Sequence, residues 1–419
     1  MKKYKEYKDS GVKWIGTIPS YWKRMRYKDI FQILDEKVGT IKDLTLLSLT
    51  KKGVIIRDLS EGKGKFPKDF ESYKIVHPNN LILCLFDVDE TPRTVGVSNT
   101  EGMITGAYDI FSVKNALLDY VYYLYLSFDD KKCLKPLYKG LRKVIPLPVL
   151  LSSYIYLPLE QEQQSIVNYL DTKVSKIDKY ISTAEKKIAA LDELKQVTIA
   201  DAVTHGINPD VPMKNSGIPW IGMVPEHWKL TRIKFLFNEI SEKEHPEEPC
   251  LCSTQKYGVI PQSMYENRVV VVNKGLENLK FVRKGNFVIS LRSFQGGIEI
   301  AYYQGIISAA YTILSLGNKN ISSNYIKYLF KSSPFIQLLQ TCVTGIREGQ
   351  NINYELLRRQ FIPIPTLSQQ NEIVAYIDRK VAQIDKMKAA ELAQIEKLKE
   401  YKQRLISDVV TGKVKVTND

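Results

Sequence analysis

Two short clusters in the sequence combine residue types that could act on phosphates. The stretch 62–65 (Gly-Lys-Gly-Lys) lacks the upstream glycine and the Ser or Thr after the lysine that a nucleotide-binding loop needs. Asp192, Glu193 and Lys195 resemble the carboxylate–lysine cluster of a nuclease. They lie in a long helical pattern, however, where charged residues usually coat a solvated face. We therefore expect no catalytic residue in either cluster.

The sequence also lacks the motifs that hold cofactors. No G-x-G-x-x-G follows a strand pattern, no Asp/Asn-Pro-Pro-Tyr/Phe loop for amino methylation occurs, and the five cysteines follow no C-x-x-C spacing. Cys250 and Cys252 are too close for the usual zinc pairing. We expect no cofactor and no metal. The odd cysteine count and the lack of an apolar run of membrane length predict a reduced, soluble, cytoplasmic protein without a membrane partner.

Net charge favours a polyanionic partner. The formal charge is +14 with a pI near 9.2, and the basic excess falls mainly in residues 1–155 and 210–361. Such a distribution is typical of surfaces that meet nucleic acid. It is weak support by itself, because many basic proteins bind no nucleic acid.

Basic and amide side chains in predicted loops are the candidate DNA contacts. Arg and Lys bind phosphates and guanine edges, whereas Gln and Asn bind adenine edges. Gly-x-Arg recurs at Gly140 to Arg142 and at Gly345 to Arg347, which favours these two arginines. For any single residue the alternative is an ordinary solvated charge. The predicted contacts are Lys51, Lys52, Arg57, Lys63, Arg93, Arg142, Lys143, Lys256, Arg268, Arg283, Arg292, Arg347 and Gln350.

A long helical pattern occurs twice, in residues 157–204 and 364–411, at a constant offset of 207. After its opening proline, each copy is free of Gly and Pro and rich in helix formers. In the first copy apolar residues recur at alternating steps of three and four, as along a coiled-coil seam. The second copy keeps this rhythm, but polar Lys388 and Glu391 interrupt it. One such helix could equally pack on a globular body, but two matched copies favour a pair. The predicted interface residues are Leu170, Val174, Ile177, Ile181, Ile188, Leu191, Ile377, Val381, Ile384, Ile395 and Leu398.

A tryptophan motif precedes each copy of a globular segment. Residues 10–22 match residues 216–228, and the two segments contain all four tryptophans of the chain. The side chains could stack on bases or ligands, or they could anchor the segment to its domain. We favour anchoring, because Trp buries a large area and the tight turns around Gly-x-x-Pro need fixing.

The globular segment between this motif and the helix is also duplicated. Strand-type runs at 81–86, 111–113, 269–272 and 287–291 alternate with turn signals. Helical patterns follow at 120–128 and 325–340. The pattern predicts an α+β domain with a compact, largely antiparallel sheet.

This layout resembles the DNA-specificity subunit of type I restriction–modification enzymes. Each half contains Trp-Ile-Gly-x-x-Pro-x-x-Trp, a variable domain, and a proline followed by a Gln pair that opens the coil. In the first half the last signature runs from Pro158 to Gln163 and Gln164, and in the second from Pro365 to Gln369 and Gln370. The resemblance covers nearly the whole chain.

The resemblance implies an α+β fold in which two similar target-recognition domains are separated by long helices that form an antiparallel coiled coil, as a pseudo-two-fold tandem repeat. The expected parts are a first recognition domain (1–156), a first coiled-coil helix (157–206), a linker with the second recognition domain (207–361), and a second coiled-coil helix with a tail (362–419). The recognition domains differ between family members, so the resemblance transfers no base-contacting residue.

The resemblance also implies a function without catalysis. Each domain would recognise one half of a bipartite, asymmetric double-stranded DNA target, while the coil sets the gap and docks two methyltransferase subunits. Motor–nuclease subunits would join the complex, and the S-adenosylmethionine and ATP sites would lie on the partners. A coiled-coil scaffold without sequence-specific DNA binding is the alternative, although a scaffold has no need of two basic, dissimilar domains. A solitary modifying enzyme would need a cofactor motif that the sequence lacks.

Overall fold

The computed structural model describes residues 2–12, 14–39, 44–57, 70–139, 143–266, 274–345 and 350–416. Contacts divide the chain into two compact units. The first unit comprises Met1–Ala184 with Ala393–Asp419, and the second unit comprises Glu185–Leu392. Each unit therefore contains one globular domain together with parts of both long helices.

Within the described residues, the first domain is built from short strands and two α-helices. Its strands are β1 (Tyr7–Asp9), β2 (Thr17–Pro19), β3 (Lys23–Arg26), β4 (Phe31–Leu34), β5 (Leu47–Thr50), β6 (Gly53–Ile56), β7 (Lys74–Val76), β8 (Leu81–Leu83), β9 (Val95–Val97), β10 (Gly102–Ile104), β11 (Asp109–Val113) and β12 (Tyr154–Leu157). Its helices are α1 (Leu118–Asp130) and α2 (Leu147–Ser152).

An antiparallel sheet in the order β4-β11-β8-β9 forms the centre of this domain. Successive side chains of a strand point to opposite faces, so both faces of this sheet can be covered. Phe111 and Leu81 pack on one face with Tyr120 of α1. Ile82 and Ile110 pack on the other face with residues of β5, β7 and β10. The apolar runs predicted as strands are therefore buried on both sides.

The second domain repeats this order of elements. Its strands are β13 (Met213–Asn215), β14 (Met223–Pro225), β15 (Lys229–Arg232), β16 (Phe237–Ile240), β17 (Leu251–Thr254), β18 (Gly258–Pro261), β19 (Lys280–Val282), β20 (Phe287–Ile289), β21 (Glu299–Ile300), β22 (Gly305–Ile307), β23 (Thr312–Leu316), β24 (Val343–Thr344), β25 (Asn351–Ile352) and β26 (Phe361–Ile364). Its helices are α4 (Ser293–Gly296), α5 (Ser323–Lys331), α6 (Ser333–Thr341) and α7 (Tyr354–Leu357).

The central sheet of the second domain has the equivalent order β16-β23-β20-β21. Phe287 and Leu314 face α5 in one core cluster. Val288 and Ile313 face β17, β18, β19 and β22 in another. The predicted α+β fold with antiparallel sheets is confirmed in both domains.

The single helix predicted at 325–340 is wrong, because the chain breaks it in two. Ser332, in extended conformation (φ −72°, ψ 144°), ends α5 and precedes α6. Pro334 falls in the first turn of α6. Proline lacks an N–H donor and clashes with the carbonyl four residues earlier, so one helix cannot continue through it. The Ser332 hydroxyl donates to the carbonyl oxygen of Leu329 at 2.7 Å, which gives this carbonyl group at the end of α5 a hydrogen-bond partner.

The two long helices are α3 (Glu160–Thr204) and α8 (Leu367–Val410). Each ends just before a glycine of positive φ, Gly206 at +82° and Gly412 at +71°, the conformation that commonly terminates helices. Along α3 the ion-pair partners on α8 run in the opposite direction, from Lys402 opposite Asp178 to Asp385 opposite Lys195, so the predicted antiparallel coil is confirmed. Across the described part of the chain, no helix has the length and apolarity needed to cross a membrane.

Candidate nucleic-acid interface and helix contacts

Two of the predicted DNA contacts, Lys51 and Lys52, form the exposed turn between β5 and β6. We call this turn the first tip. Thr50 fixes it, because its hydroxyl donates to the carbonyl oxygen of Gly53 at 3.0 Å and accepts from the Lys52 N–H at 3.1 Å. Both lysine side chains are therefore presented from a rigid hairpin end.

An equivalent turn joins β17 and β18, and its residues Gln255, Lys256 and Tyr257 form the second tip. The Thr254 hydroxyl donates to Gly258 O at 3.0 Å and accepts from the Tyr257 N–H at 3.0 Å. The Lys256 ammonium lies 4.8 Å from the centre of the Tyr257 ring, and hydrogen bonding to Tyr257 raises the lysine pKa. All three side chains of the second tip are exposed.

Other predicted cations of the first domain are engaged by carboxylates. Arg93 donates to Asp129 at 2.9 Å and to Asp130 at 3.2 Å, and Asp129 is buried. Lys143 is hydrogen-bonded to Glu90, which raises the lysine pKa. The Arg93 charge thus compensates the buried carboxylate of Asp129. Arg93 and Lys143 are both paired with carboxylates, so each is less available to bind a DNA phosphate than a cation without such a partner.

Arg283 of the second domain is engaged in the same way. Its two terminal nitrogens donate to the Glu242 carboxylate at 2.6 and 2.9 Å, a bidentate pair of the stronger kind. The arginine holds the pKa of the Glu242 carboxyl below its usual range. This pair joins the end of β19 to the segment after β16.

The remaining candidates are scattered over both domains. Arg57 directly follows β6 and is half-buried, with its N–H bonded to Leu46 O at 2.8 Å. Arg292, just before α4, and Gln350 are exposed. Four predicted contacts lie outside the described residues, namely Lys63, Arg142, Arg268 and Arg347. DNA contact by any of the thirteen side chains stays a prediction.

An ion pair with a buried carboxylate supports the second tip from below. Glu299 on β21 is paired with Lys331 at the end of α5, at 2.5 Å. The same lysine donates to the main-chain oxygen of Gln255 at 3.1 Å. Burial raises the pKa of the Glu299 carboxyl to about 7, against the lowering effect of Lys331. The lysine therefore ties the turn to a helix end and to the edge of the sheet.

The side chains predicted for the coiled-coil interface are all buried or half-buried. Leu170 and Ile177 join the core of the first domain, with Val174, Ile181 and Leu398 packed against it. Ile377 joins the core of the second domain, with Val381 packed against it. The other residues predicted for the interface are also buried or half-buried, namely Ile188, Leu191, Ile384 and Ile395.

One ion pair recurs between the helices at the offset of the repeat. In the first unit Lys402 of α8 contacts Asp178 of α3 at 2.6 Å. In the second unit Lys195 of α3 contacts Asp385 of α8 at 2.9 Å. Asp178 and Asp385 are 207 residues apart, as are Lys195 and Lys402. The two copies of the helix thus exchange the same interaction, with acid and base reversed.

The carboxylate–lysine cluster that resembles a nuclease site takes part in these helix contacts. Asp192 binds Lys388 at 2.6 Å across the helix pair, and Lys195 binds Asp385. Lys187 and Glu391 add a further pair at 2.5 Å in the same unit. The cluster therefore links α3 to α8. Among the described residues, no group of His, Cys, Asp and Glu side chains could hold a metal ion.

Buried tyrosines join each domain to the end of the helix from the opposite repeat. The Tyr120 hydroxyl donates to Val410 O at 3.0 Å within the first unit. The Tyr325 hydroxyl donates to Val203 O at 3.1 Å within the second unit. A second tyrosine in each domain, Tyr123 or Tyr328, donates to an aspartate of that domain's own helix.

A buried glutamine anchors the beginning of each long helix. The Gln163 side chain accepts from Leu117 N at 2.9 Å and donates to Pro158 O at 3.0 Å. Gln370 accepts from Ser322 N at 2.7 Å and donates to Pro365 O at 2.9 Å. Each amide joins the proline turn before the long helix to the start of α1 or α5. This geometry explains why a glutamine stands five residues after the proline in both repeats, Gln163 after Pro158 and Gln370 after Pro365.

The tryptophan motifs pack against the helix ends. Trp22 and Trp228 are buried, whereas Trp14 and Trp220 are partly buried against the two domain cores. An added Cβ on Gly412 would lie 3.0 Å from the Trp22 ring, and one on Gly206 would lie 3.2 Å from the Trp228 ring. The motif therefore anchors its segment and closes over the glycine that ends the other repeat's helix.

Sequence reasoning missed the tyrosines and the anchoring role of the glutamines. Tyr120 and Tyr325 occupy matching places near the start of matching helices, which is a usable signal. No local pattern names Val410 or Val203 as their partners, because these contacts join distant parts of the chain.

Comparisons with known proteins agree with this architecture. A family model described as "Type I restriction modification DNA specificity domain" matches residues 225–397. The type I restriction enzyme EcoBI specificity subunit of Escherichia coli is 22% identical over 285 residues, which cover 62% of this chain and 58% of that protein. The match thus spans less than two thirds of this curated relative.

Solved structures are similar over most of the chain. A chain from a study of complex assembly and conformational transition of the type I R-M system has a TM-score of 0.65 at 15% identity, covering 94% of this chain and 98% of its own. The HsdS subunit from Thermoanaerobacter tengcongensis has a TM-score of 0.49 at 15% identity, covering 95% and 98%. The first of these supports the fold described above.

Proposed function

We propose that the chain is a DNA-specificity subunit of a type I restriction–modification enzyme and, from this premise, that it recognises a bipartite, asymmetric sequence in double-stranded DNA. Each globular domain binds one half-site. The paired helices set the unread gap between them. The chain itself catalyses nothing and works in the cytoplasm as part of a larger complex.

One observation carries this proposal: the framework of the two domains is repeated while the exposed tips differ. The hydrogen bonds of Tyr120 and Tyr325 recur in equivalent places. The first tip offers two lysines, whereas the second offers Gln, Lys and Tyr. A duplicated framework suits the dyad symmetry of a duplex backbone, and dissimilar tips suit two unlike base sequences.

The helices also carry a matched pair of exposed apolar sites. In the first unit Tyr180 and Tyr401 are 66% and 45% exposed, and in the second unit Leu194 and Met387 are 50% and 45% exposed. The offset of 207 relates Tyr180 to Met387 and Leu194 to Tyr401. Exposed apolar side chains in equivalent places favour the docking of the same partner twice. We propose that this partner is the methyltransferase subunit, in two copies, with motor–nuclease subunits completing the complex.

Enrichment from a pool of randomised double-stranded DNA tests the DNA-binding proposal. The full chain, alone and together with the proposed methyltransferase partner, should enrich two short unlike half-sites at a fixed spacing. Enrichment of no motif, or of a single palindromic one, would contradict it. Pure chain, free of partner subunits by mass spectrometry, should neither methylate nor cleave the enriched sites.

Alanine variants at the apolar sites test the docking proposal. Y180A/Y401A and L194A/M387A should each remove one of two bound methyltransferase copies, measured by native mass spectrometry. The matched control E185A lies on an exposed helix position and should keep both copies. Two copies bound to both double variants would show that the partner docks elsewhere.

A further inference from the structure

We propose that the two hairpin tips are the elements that read the half-sites, and that Tyr257 determines base preference in the half-site of the second domain. This inference rests on the proposed DNA-binding function and assigns its specificity to named side chains. In the second tip, Lys256 supplies attraction to the phosphates. In the first tip, Lys51 and Lys52 occupy the equivalent place.

The second tip is held rigidly on its domain. An added Cβ on Gly258 (φ +73°) would lie 2.7 Å from Ile300 O and 2.8 Å from the Tyr302 ring, so the hairpin sits directly on the edge of the sheet. Tyr302 N donates to Val259 O at 3.2 Å. Binding residues fixed by packing lose little conformational freedom when they engage a ligand.

The main chain of the tip is secured on its other side as well. An added Cβ on Gly296 of α4 would lie 2.6 Å from the Gln255 side chain. Gln255 O accepts the hydrogen bond from Lys331, which is paired with the buried Glu299. Three elements of the second domain therefore converge under one short turn.

The exposed side chains of this tip suit DNA. Among the described residues Lys256 has no ion pair, and Glu266 acts on it only through space. Arg283 of the same domain, by contrast, is neutralised by Glu242. Tyr257 is 48% exposed, and it combines a rigid apolar ring with a hydroxyl that can donate or accept. The Lys256 ammonium has no carboxylate partner among these described residues and can bind a phosphate, and the exposed phenol beside it can contact the neighbouring base edge.

The first tip repeats the frame with different contents. Thr50 and Gly53 hold a two-residue turn, one residue shorter than the turn between Thr254 and Gly258. An added Cβ on Gly96 of β9 would lie 2.6 Å from Leu49 and 2.7 Å from Val54, so this hairpin also sits tightly on the sheet edge. The first tip has no aromatic side chain. The geometry thus presents two different chemical groups from the same position in each domain.

The experiment uses the full chain, alone and together with the proposed methyltransferase partner, and randomised double-stranded DNA. The variants are Y257A, Y257F, K256A and K51A/K52A. The matched control is K234A/F235A, because Lys234 lies 4.8 Å from the Phe235 ring and Phe235 is 69% exposed. This second lysine–aromatic pair of the same domain lies outside the hairpin. Thermal unfolding of every variant shows that it is folded before DNA is added.

Y257A should lose about 5- to 100-fold of its preference for the correct second half-site, with the first half-site and the gap unchanged. Y257F, which keeps the ring, should lose less. K256A should weaken binding to specific and random DNA alike, and should reduce the slope of log affinity against log salt by about one. K51A/K52A should weaken binding and alter only the first half-site. The control should behave as wild type.

The possible failures are distinct. If wild type enriches no motif, the proposed DNA-binding function falls and this inference with it. If wild type enriches a bipartite motif and Y257A enriches the same motif with equal affinity, the tip assignment alone is overturned. Equal effects of K234A/F235A and K256A would also overturn it, since the tip would then contribute no more than any exposed cation.

Discussion

The hydroxyl of Tyr120 donates a hydrogen bond to the main-chain oxygen of Val410, 3.0 Å away and 290 residues later in the chain. Both groups are buried. Within the first unit this bond joins the start of α1 to the last turn of α8. The last four carbonyl groups of a helix have no partner inside it, so the tyrosine satisfies one of them. Each domain thus completes the helix that belongs to the other repeat.

Removing this hydroxyl should destabilise the first unit. Y120F leaves the buried carbonyl oxygen of Val410 without its donor, and we expect a loss of about 1–3 kcal/mol in the free energy of unfolding. Denaturant unfolding followed by tryptophan fluorescence measures it. Y180F removes an exposed hydroxyl and should change little. Equal stability of Y120F and wild type would mean that water replaces the tyrosine.

A side chain added at Gly412 should destabilise the protein. The glycine's φ of +71° strains any L-residue, and an added Cβ would lie 2.4 Å from Pro19 Cδ. Gly11 is the matched control, because its φ is +69° and no atom lies within 4 Å of its added Cβ. G11A should cost about 1 kcal/mol from backbone strain. G412A should cost about 1–3 kcal/mol more from overpacking against the tryptophan motif. Equal costs would show that the helix end moves aside freely.

The buried Glu299 should make stability depend on pH. Burial raises its pKa from 4.5 to about 7, so between these values the folded state holds a proton that the unfolded chain has released. The contribution is complete below about pH 4.5 and is lost as pH rises through about 7. Relative to E299Q, wild type should lose up to about 3 kcal/mol across this window.

Unfolding curves measured at several pH values across that window test this expectation. E355Q is the control, because Glu355 is exposed and paired with Arg358 at 2.9 Å, and this variant should keep the wild-type slope. Parallel slopes for E299Q and wild type would mean that Glu299 stays ionised throughout, stabilised by Lys331.

A fragment of residues 1–209 should dimerise through its single long helix. It contains one tryptophan motif, one domain and one helix, and its Val203 matches Val410 at the repeat offset. Tyr120 of one copy can then donate to Val203 of the other, as Tyr325 does in the full chain. Light scattering at micromolar concentration should give the dimer mass, and Y120F should weaken the dimer. A monomer would contradict the equivalence of the two contacts.

The sequence by itself determined the parts that depend on local patterns. Alternating steps of three and four predicted the helix pair, and the buried or half-buried side chains include Leu170, Ile177 and Ile377. The apolar runs at 81–86, 111–113 and 287–291 correspond to β8, β11 and β20 of the two central sheets, whereas the run predicted at 269–272 lies outside the described residues. The duplicated motifs predicted two similar domains. Pro334, which separates α5 from α6, is evident in the sequence. The amphipathic pattern continues on both sides of it, so the sequence is interpreted as one helix.

Only the tertiary structure decided which side chains meet. Arg93 and Lys256 are both single cations in loop-type sequence, yet Arg93 is neutralised by the buried Asp129 whereas Lys256 remains exposed. Gln163 and Gln370 were recognised as motif letters, and folding made them the anchors of the helix starts. The physical reason is that periodicity reports which face of an element is apolar. It contains no information about partners distant in the chain, and such partners determine whether a charge is free, a carbonyl is satisfied, or a glycine is required.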